Sequence, residues 1–105
     1  MQLLDVKEIK AGDVTLYIRF SMRAMLEYEA LSGVSIEDMN TTERTVQFLF
    51  CTAKAGAKKK TVEFPYTYDS FIDMLDEIDY TQVILDFIAF LTNKDEQKKT
   101  VVPKG

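Results

Sequence analysis

The apolar period of this chain changes abruptly at Ser21, and that change restricts the fold more than any other feature. Before it, Val14, Leu16, Ile18 and Phe20 recur at every second residue, with Thr15, Tyr17 and Arg19 between them. This is the period of a half-buried β-strand. After it, Met22, Met25, Leu26 and Ala30 lie on one side of a helix, for which Ser21 is a suitable N-cap and Gly33 a C-terminal stop. Ala11-Gly12-Asp13 joins the strand to an earlier extended run from Leu3 to Lys10, so a β-hairpin over 3–20 is expected.

Three further helical patterns follow. Ser35 and Ile36-Glu37-Asp38-Met39 leave room for one turn of connector. Asn40 or Thr41 can cap the next helix; with Asn40 as cap, Glu43 falls at the third helical position, where its carboxylate reaches back to the cap amide. Val46, Leu49, Phe50 and Ala53 form its core stripe, and Gly56 is expected to end it. The run Ala55 to Lys60 holds three adjacent lysines and reads as a solvent-facing loop. Thr61 to Phe64 reads as a short extended piece before Pro65. Thr67 can cap a helix that buries Phe71, Met74, Leu75 and Ile78, with Asp69 near its positive end. Asp79 can cap a last helix with Val83, Ile84, Phe87, Ile88 and Leu91 as its stripe.

The expected architecture is helix-dominated α+β, an N-terminal β-hairpin followed by about four packed α-helices. One globular domain covers 1–92, with the hairpin at 3–20 and the helical unit at 21–92, and 93–105 reads as a polar, flexible tail. A chain of 105 residues suits a single core. With 47% hydrophobic and 29% charged residues it lies outside the composition range in which chains stay disordered.

Composition also narrows the chemistry. There is no histidine and only one cysteine, Cys51, which removes the usual nucleophile–imidazole pairs and ordinary zinc ligand sets. Cys51 lies between Phe50 and Thr52 and reads as a small buried hydrophobe. Glycine occurs only at positions 12, 33, 56 and 105, too sparsely for a phosphate-cradling loop. A net charge of −4 opposes phosphate backbones, so nucleic acid is not an expected partner. No apolar run is long enough to span a bilayer. The N-terminus lacks the pattern of a secretory signal, and a cytoplasmic location is expected.

No catalytic, cofactor-binding or metal-ligating set is therefore assigned, and no cofactor is expected. Asp69, Asp73 and Asp76 or Glu77 share one helix face at spacings of three and four. That face can be read as a divalent-metal or acid–base site, or as the solvated side of an amphipathic helix. Lys58, Lys59 and Lys60 can be read as a phosphate contact or as a solubilising loop. Tyr66 and Tyr68, after Pro65, make either an aromatic contact patch or an internal staple. The last helix carries apolar residues on more than one face, and the surplus around Leu85 and Phe90 either covers the hairpin or receives a partner helix or an identical subunit. The candidate partner-binding surface is accordingly Tyr66, Tyr68, Leu85 and Phe90.

From Ile18 through Arg19-Phe20-Ser21-Met22-Arg23-Ala24-Met25-Leu26-Glu27-Tyr28-Glu29-Ala30-Leu31-Ser32-Gly33 to Ile36, the sequence resembles the start of the tail assembly chaperones of long-tailed bacteriophages. In these a strand runs into a helix with a small cap residue, a Glu-aromatic-Glu core and a terminal glycine. Thr42 to Ala55 resembles the next helix of that family, and the helices from Thr67 and Tyr80 match its order, so the likeness spans Val14 to Leu91. Leu3 to Lys10 and Lys58 to Pro65 depart from the pattern.

The resemblance implies a non-enzymatic protein of the host bacterial cytoplasm, from a phage or prophage. Such a protein binds and solubilises the tape measure protein during tail morphogenesis and is absent from the finished virion. In that family a longer form is often made by ribosomal frameshifting, and Lys98-Lys99 can be read as the product of an A-rich slippery heptamer or as a solvated lysine pair. The alternative expectation is a structural phage subunit, a head-tail connector or tail-completion protein. Self-association is compatible with either.

Overall fold

The computed structural model describes residues 6–35 and 41–104, with side chains as far as Thr92. The element order is β1 (Lys7–Ala11), β2 (Val14–Ile18), α1 (Met22–Ser32), α2 (Thr42–Lys60), α3 (Tyr68–Asp76) and α4 (Tyr80–Lys104). This is the expected helix-dominated α+β arrangement of a hairpin and four helices. Leu3 to Asp5, the Ile36 to Met39 connector and Asn40 lie outside the described residues.

The strands pair antiparallel with Ile9 opposite Leu16 and Ala11 opposite Val14, leaving the two-residue loop Gly12-Asp13. Gly12 has φ 65° while Asp13 keeps a negative φ, the combination of a type II′ turn, which matches the twist of the paired strands. Ile9, Ala11, Leu16 and Ile18 all point into the core. The strand stops at Ile18 rather than continuing to Phe20. The amide of Arg19 turns away from β1 and donates to the carbonyl of Thr52 in α2 at 3.0 Å.

That bond exists because α2 lies almost in backbone contact with β2. Gly56 is buried, and a Cβ built on it would fall 1.7 Å from the Tyr17 carbonyl oxygen. Gly56 therefore does not end the helix, as its residue type suggests; it is the point where strand and helix touch. The helix runs on through Lys58, Lys59 and Lys60, which form its last turn instead of a loop. Alanine and lysine are good helix formers, and the three ammonium groups complement the negative end of the helix. Lys60 Nζ also stands 5.7 Å from the centre of the Tyr17 ring. The turn closes at Thr61, whose left-handed conformation (φ 56°) lets the Val62 amide donate to the Ala57 carbonyl at 3.0 Å.

Local stop and start signals hold elsewhere. Ser21 accepts from the Ala24 amide, Gly33 (φ 80°) closes α1, and Thr67 and Ser70 form a reciprocal capping box. Thr41, not Asn40, caps α2, accepting from the Arg44 amide at 3.2 Å, so Glu43 stands at the second helical position.

The core is built around α2, which is buried continuously from Val46 to Ala53. Phe48 and Phe50, two residues apart, point to opposite sides of it. Phe48 meets Phe20, Tyr28 and Phe87 at centroid distances of 5.6, 5.3 and 5.9 Å, tying in α1 and α4. Phe50 meets Phe64, Tyr68 and Phe71 at 5.6, 5.5 and 5.4 Å, tying in the 62–67 segment and α3.

Two expected stripes shift. In α1, Ala24 and Tyr28 face the core, whereas Met22 (70% exposed), Leu26 (56%) and Ala30 face out. In α4, Val83 and Phe87 are buried and Ile84 and Leu91 half-buried, but Ile88 is exposed. Both helices carry more apolar surface than a two-layer contact can cover.

Candidate protein-binding groove

α3 rests on one side of α2 through Phe71 and Phe50, while α4 rests on the other through Phe87 and Phe48 and also covers β1. Their connection, Glu77-Ile78-Asp79, is short: Ile78 N donates to Leu75 O at 3.2 Å and Gln82 N to Asp79 O at 3.2 Å. Two helices that start from one tight corner and lie against different faces of a third must diverge. An apolar groove of about 410 Å³ opens between them over the N-terminal half of α2.

The floor is formed by Val46, Ile72, Leu75 and Ile84. Val46 lies one turn before Phe50 on the same face of α2, and Ile72 and Leu75 extend the α3 face beyond Phe71, so the groove continues the core where the core runs out of cover. One lip is α4, where Leu85 is 55% and Tyr80 52% exposed. The other lip is α3, where Asp76 joins the wall. Asp69 and Asp73 precede it by seven and three residues on the same side of the helix, all three exposed. The salt bridge between Lys54 and Glu27, at 4.0 Å, lies elsewhere.

The four residues singled out in the sequence are not one surface. Leu85 lines the groove and is exposed. Phe90 is half-buried and packed against the core, on a different side of α4. Tyr66 and Tyr68 are half-buried in the aromatic cluster, with Tyr66 5.3 Å from Phe64 and 5.9 Å from Phe71. Burial, together with Glu43, Asp69 and Cys51, holds the Tyr68 phenol above its ordinary pKa. Val46, Ile72 and Ile84 belong to the groove without having been singled out for it. The spacing of Ile72, Leu75 and Asp76 marks them as neighbours on one helix face, but only the divergence of α3 and α4 makes that face a wall.

Cys51 is buried, and burial, then Glu27, raises its thiol from 9.0 to about 11, with Lys54 acting weakly the other way. Such a thiol is protonated at neutral pH and does not act as a nucleophile there. Among the described residues no group of three or more Cys, Asp or Glu converges as metal ligands, and no helix is long and apolar enough to cross a membrane. What the groove offers chemically is a desolvating apolar surface with negative charge along one side. Comparison with protein-family models, curated proteins and solved structures found no match.

Proposed function

We propose that this chain is a non-enzymatic binding protein that shields apolar helical segments of another protein, in the manner of a phage tail assembly chaperone holding the tape measure protein soluble in the host cytoplasm. The observation that supports it is the open groove between α3 and α4. Soluble proteins seldom leave large aliphatic and aromatic side chains such as Leu85 and Tyr80 on the rim of an apolar cleft without a use for them. An amphipathic helix laid into such a groove buries apolar surface at about 25 cal/mol per Å². Many copies on one long client would add up through multivalency. The phage assignment rests on the strand-to-helix pattern from Ile18 to Ile36.

Co-expression with the long helix-rich protein encoded immediately downstream, followed by pull-down and a solubility assay, tests the reading. A client that becomes soluble only with this chain, and loses that protection with Leu85→Asp, supports it. A client that neither binds nor changes solubility overturns it in favour of a structural subunit.

A further inference from the structure

The groove is chemically lopsided, and that asymmetry specifies its occupant more closely than apolar character does. Between Tyr68 and Asp79 the sequence carries five acidic residues and no basic one. Three of them, Asp69, Asp73 and Asp76, follow one another at spacings of four and three on one exposed side of α3, covering about 10 Å of helix axis, and Asp76 lines the groove. The α4 lip opposite presents Leu85 and Tyr80 and no charge. The lysine-rich end of α2 lies about 20 Å along the helix from Val46 in the groove floor, Lys59 being thirteen residues further on. No lysine or arginine is among the residues that line the groove.

Building on the groove reading above, we infer that the occupant is a helix with an aliphatic ridge and lysine or arginine along one flank, repeated at three- and four-residue intervals and lying alongside α3. The ridge fills the floor over Ile72 and Leu75, and the basic flank meets Asp69, Asp73 and Asp76. An acidic or neutral helix of equal hydrophobicity would leave three carboxylates beside its own charges or beside nothing. Exposed ion pairs contribute about two-fold in affinity each, so the preference for the basic flank is about tenfold and weakens with salt.

The test uses the full chain and three synthetic peptides, measured by calorimetry at low and at physiological salt. One peptide has a leucine ridge with a lysine flank, the second has glutamate in place of lysine, and the third keeps the lysines but replaces the leucines with serine. Tightest binding of the leucine–lysine peptide, a preference of about tenfold over its glutamate counterpart, and collapse of that preference in Asp69→Asn/Asp73→Asn/Asp76→Asn support the inference. These residues are exposed, so the triple variant is expected to fold with only the small loss that removing Asp69 from the first turn of α3 brings, and its melting temperature is checked. Equal binding of the lysine and glutamate peptides, an undiminished preference in the triple variant, or no binding of any peptide overturns it. So does a dimer of the protein alone that Leu85→Asp dissociates, because the occupant is then a second copy. If the client is kept soluble in co-expression while the peptides show no charge preference, the inference fails and the chaperone reading survives. A clear preference without client protection has the reverse meaning.

Discussion

Replacing Gly56 with alanine sets two ordinary expectations against each other. In an exposed helix interior the change stabilises by about 1 kcal/mol, because alanine is the better helix former. Here the new methyl would lie 1.7 Å from the Tyr17 carbonyl oxygen, 2.3 Å from its carbon and 2.9 Å from the Ile18 nitrogen. A carbon and an oxygen tolerate about 3.3 Å, so α2 would have to withdraw from β2 by about 1.6 Å. The obstacle is backbone on both sides and cannot rotate away. Such a displacement also pulls apart Arg19 N and Thr52 O, now 3.0 Å apart.

Overpacking costs about 1–3 kcal/mol and an orphaned buried backbone group about as much again. Subtracting the helix-propensity gain leaves a net loss of about 3 kcal/mol. With an urea m-value of about 1.5 kcal/mol/M, the unfolding midpoint falls by about 2 M. Gly33→Ala is the matched control. Gly33 has φ 80° with nothing within 4 Å of a built Cβ, so only conformational strain of about 1 kcal/mol is expected. Urea denaturation followed by far-UV circular dichroism ranks the two. A Gly56→Ala protein as stable as the parent, or less affected than Gly33→Ala, would refute the close approach of α2 to β2.

Other substitutions probe independent parts of the fold. Thr61 closes α2 in a left-handed conformation that disfavours a β-branched residue, so Thr61→Gly should raise stability by about 1 kcal/mol, seen as a melting temperature higher by about 5 °C; an unchanged or lower value contradicts that conformation. Tyr28 is fully buried and its hydroxyl has no partner among the described residues, so Tyr28→Phe should be neutral or stabilising by up to about 1 kcal/mol, and a loss of stability would contradict that. Cys51 should resist alkylation at pH 8 until the protein is denatured. Its thiol stays protonated in the folded chain up to about pH 11 but ionises from about 9 when unfolded, so its contribution to stability is complete below pH 9 and is lost between 9 and 11. The parent should therefore lose stability relative to Cys51→Ala across that window, and parallel pH profiles would contradict it.

The elements were legible in the sequence wherever the signal is local. Ser21, Gly33 and Thr67 act on amides within one turn of themselves, and their helices start or stop where those residues stand. Gly56 misleads for the complementary reason, since whether a glycine ends a helix or admits a neighbouring strand depends on Tyr17, thirty-nine residues away. The lysines beyond it read as a loop because their apolar period vanishes, although a final helical turn needs no such period when its charges suit the helix end. The groove was half legible for the same reason. Leu85 stands out as surplus on its helix, but Ile72 and Val46 become its neighbours only through the packing of three helices.

The helix at the centre of the fold is not the one with the most large side chains. α2, in which Phe48, Leu49 and Phe50 are followed by Cys51, Thr52, Ala53, Gly56 and Ala57, occupies the centre. A central helix must let β2 and α1 approach its backbone, and small side chains permit that where large ones would hold the layers apart. Thr52 fits there because its hydroxyl donates to the Phe48 and Leu49 carbonyls of its own helix at 2.9 and 3.0 Å and needs no outside partner. Once small residues take the middle, bulk is displaced to the periphery, where a chain of 105 residues has too few elements to cover it. Tyr80, Leu85 and Ile88 stand outside that core, so truncating Leu85 should cost little stability while removing much of the groove's capacity to bind.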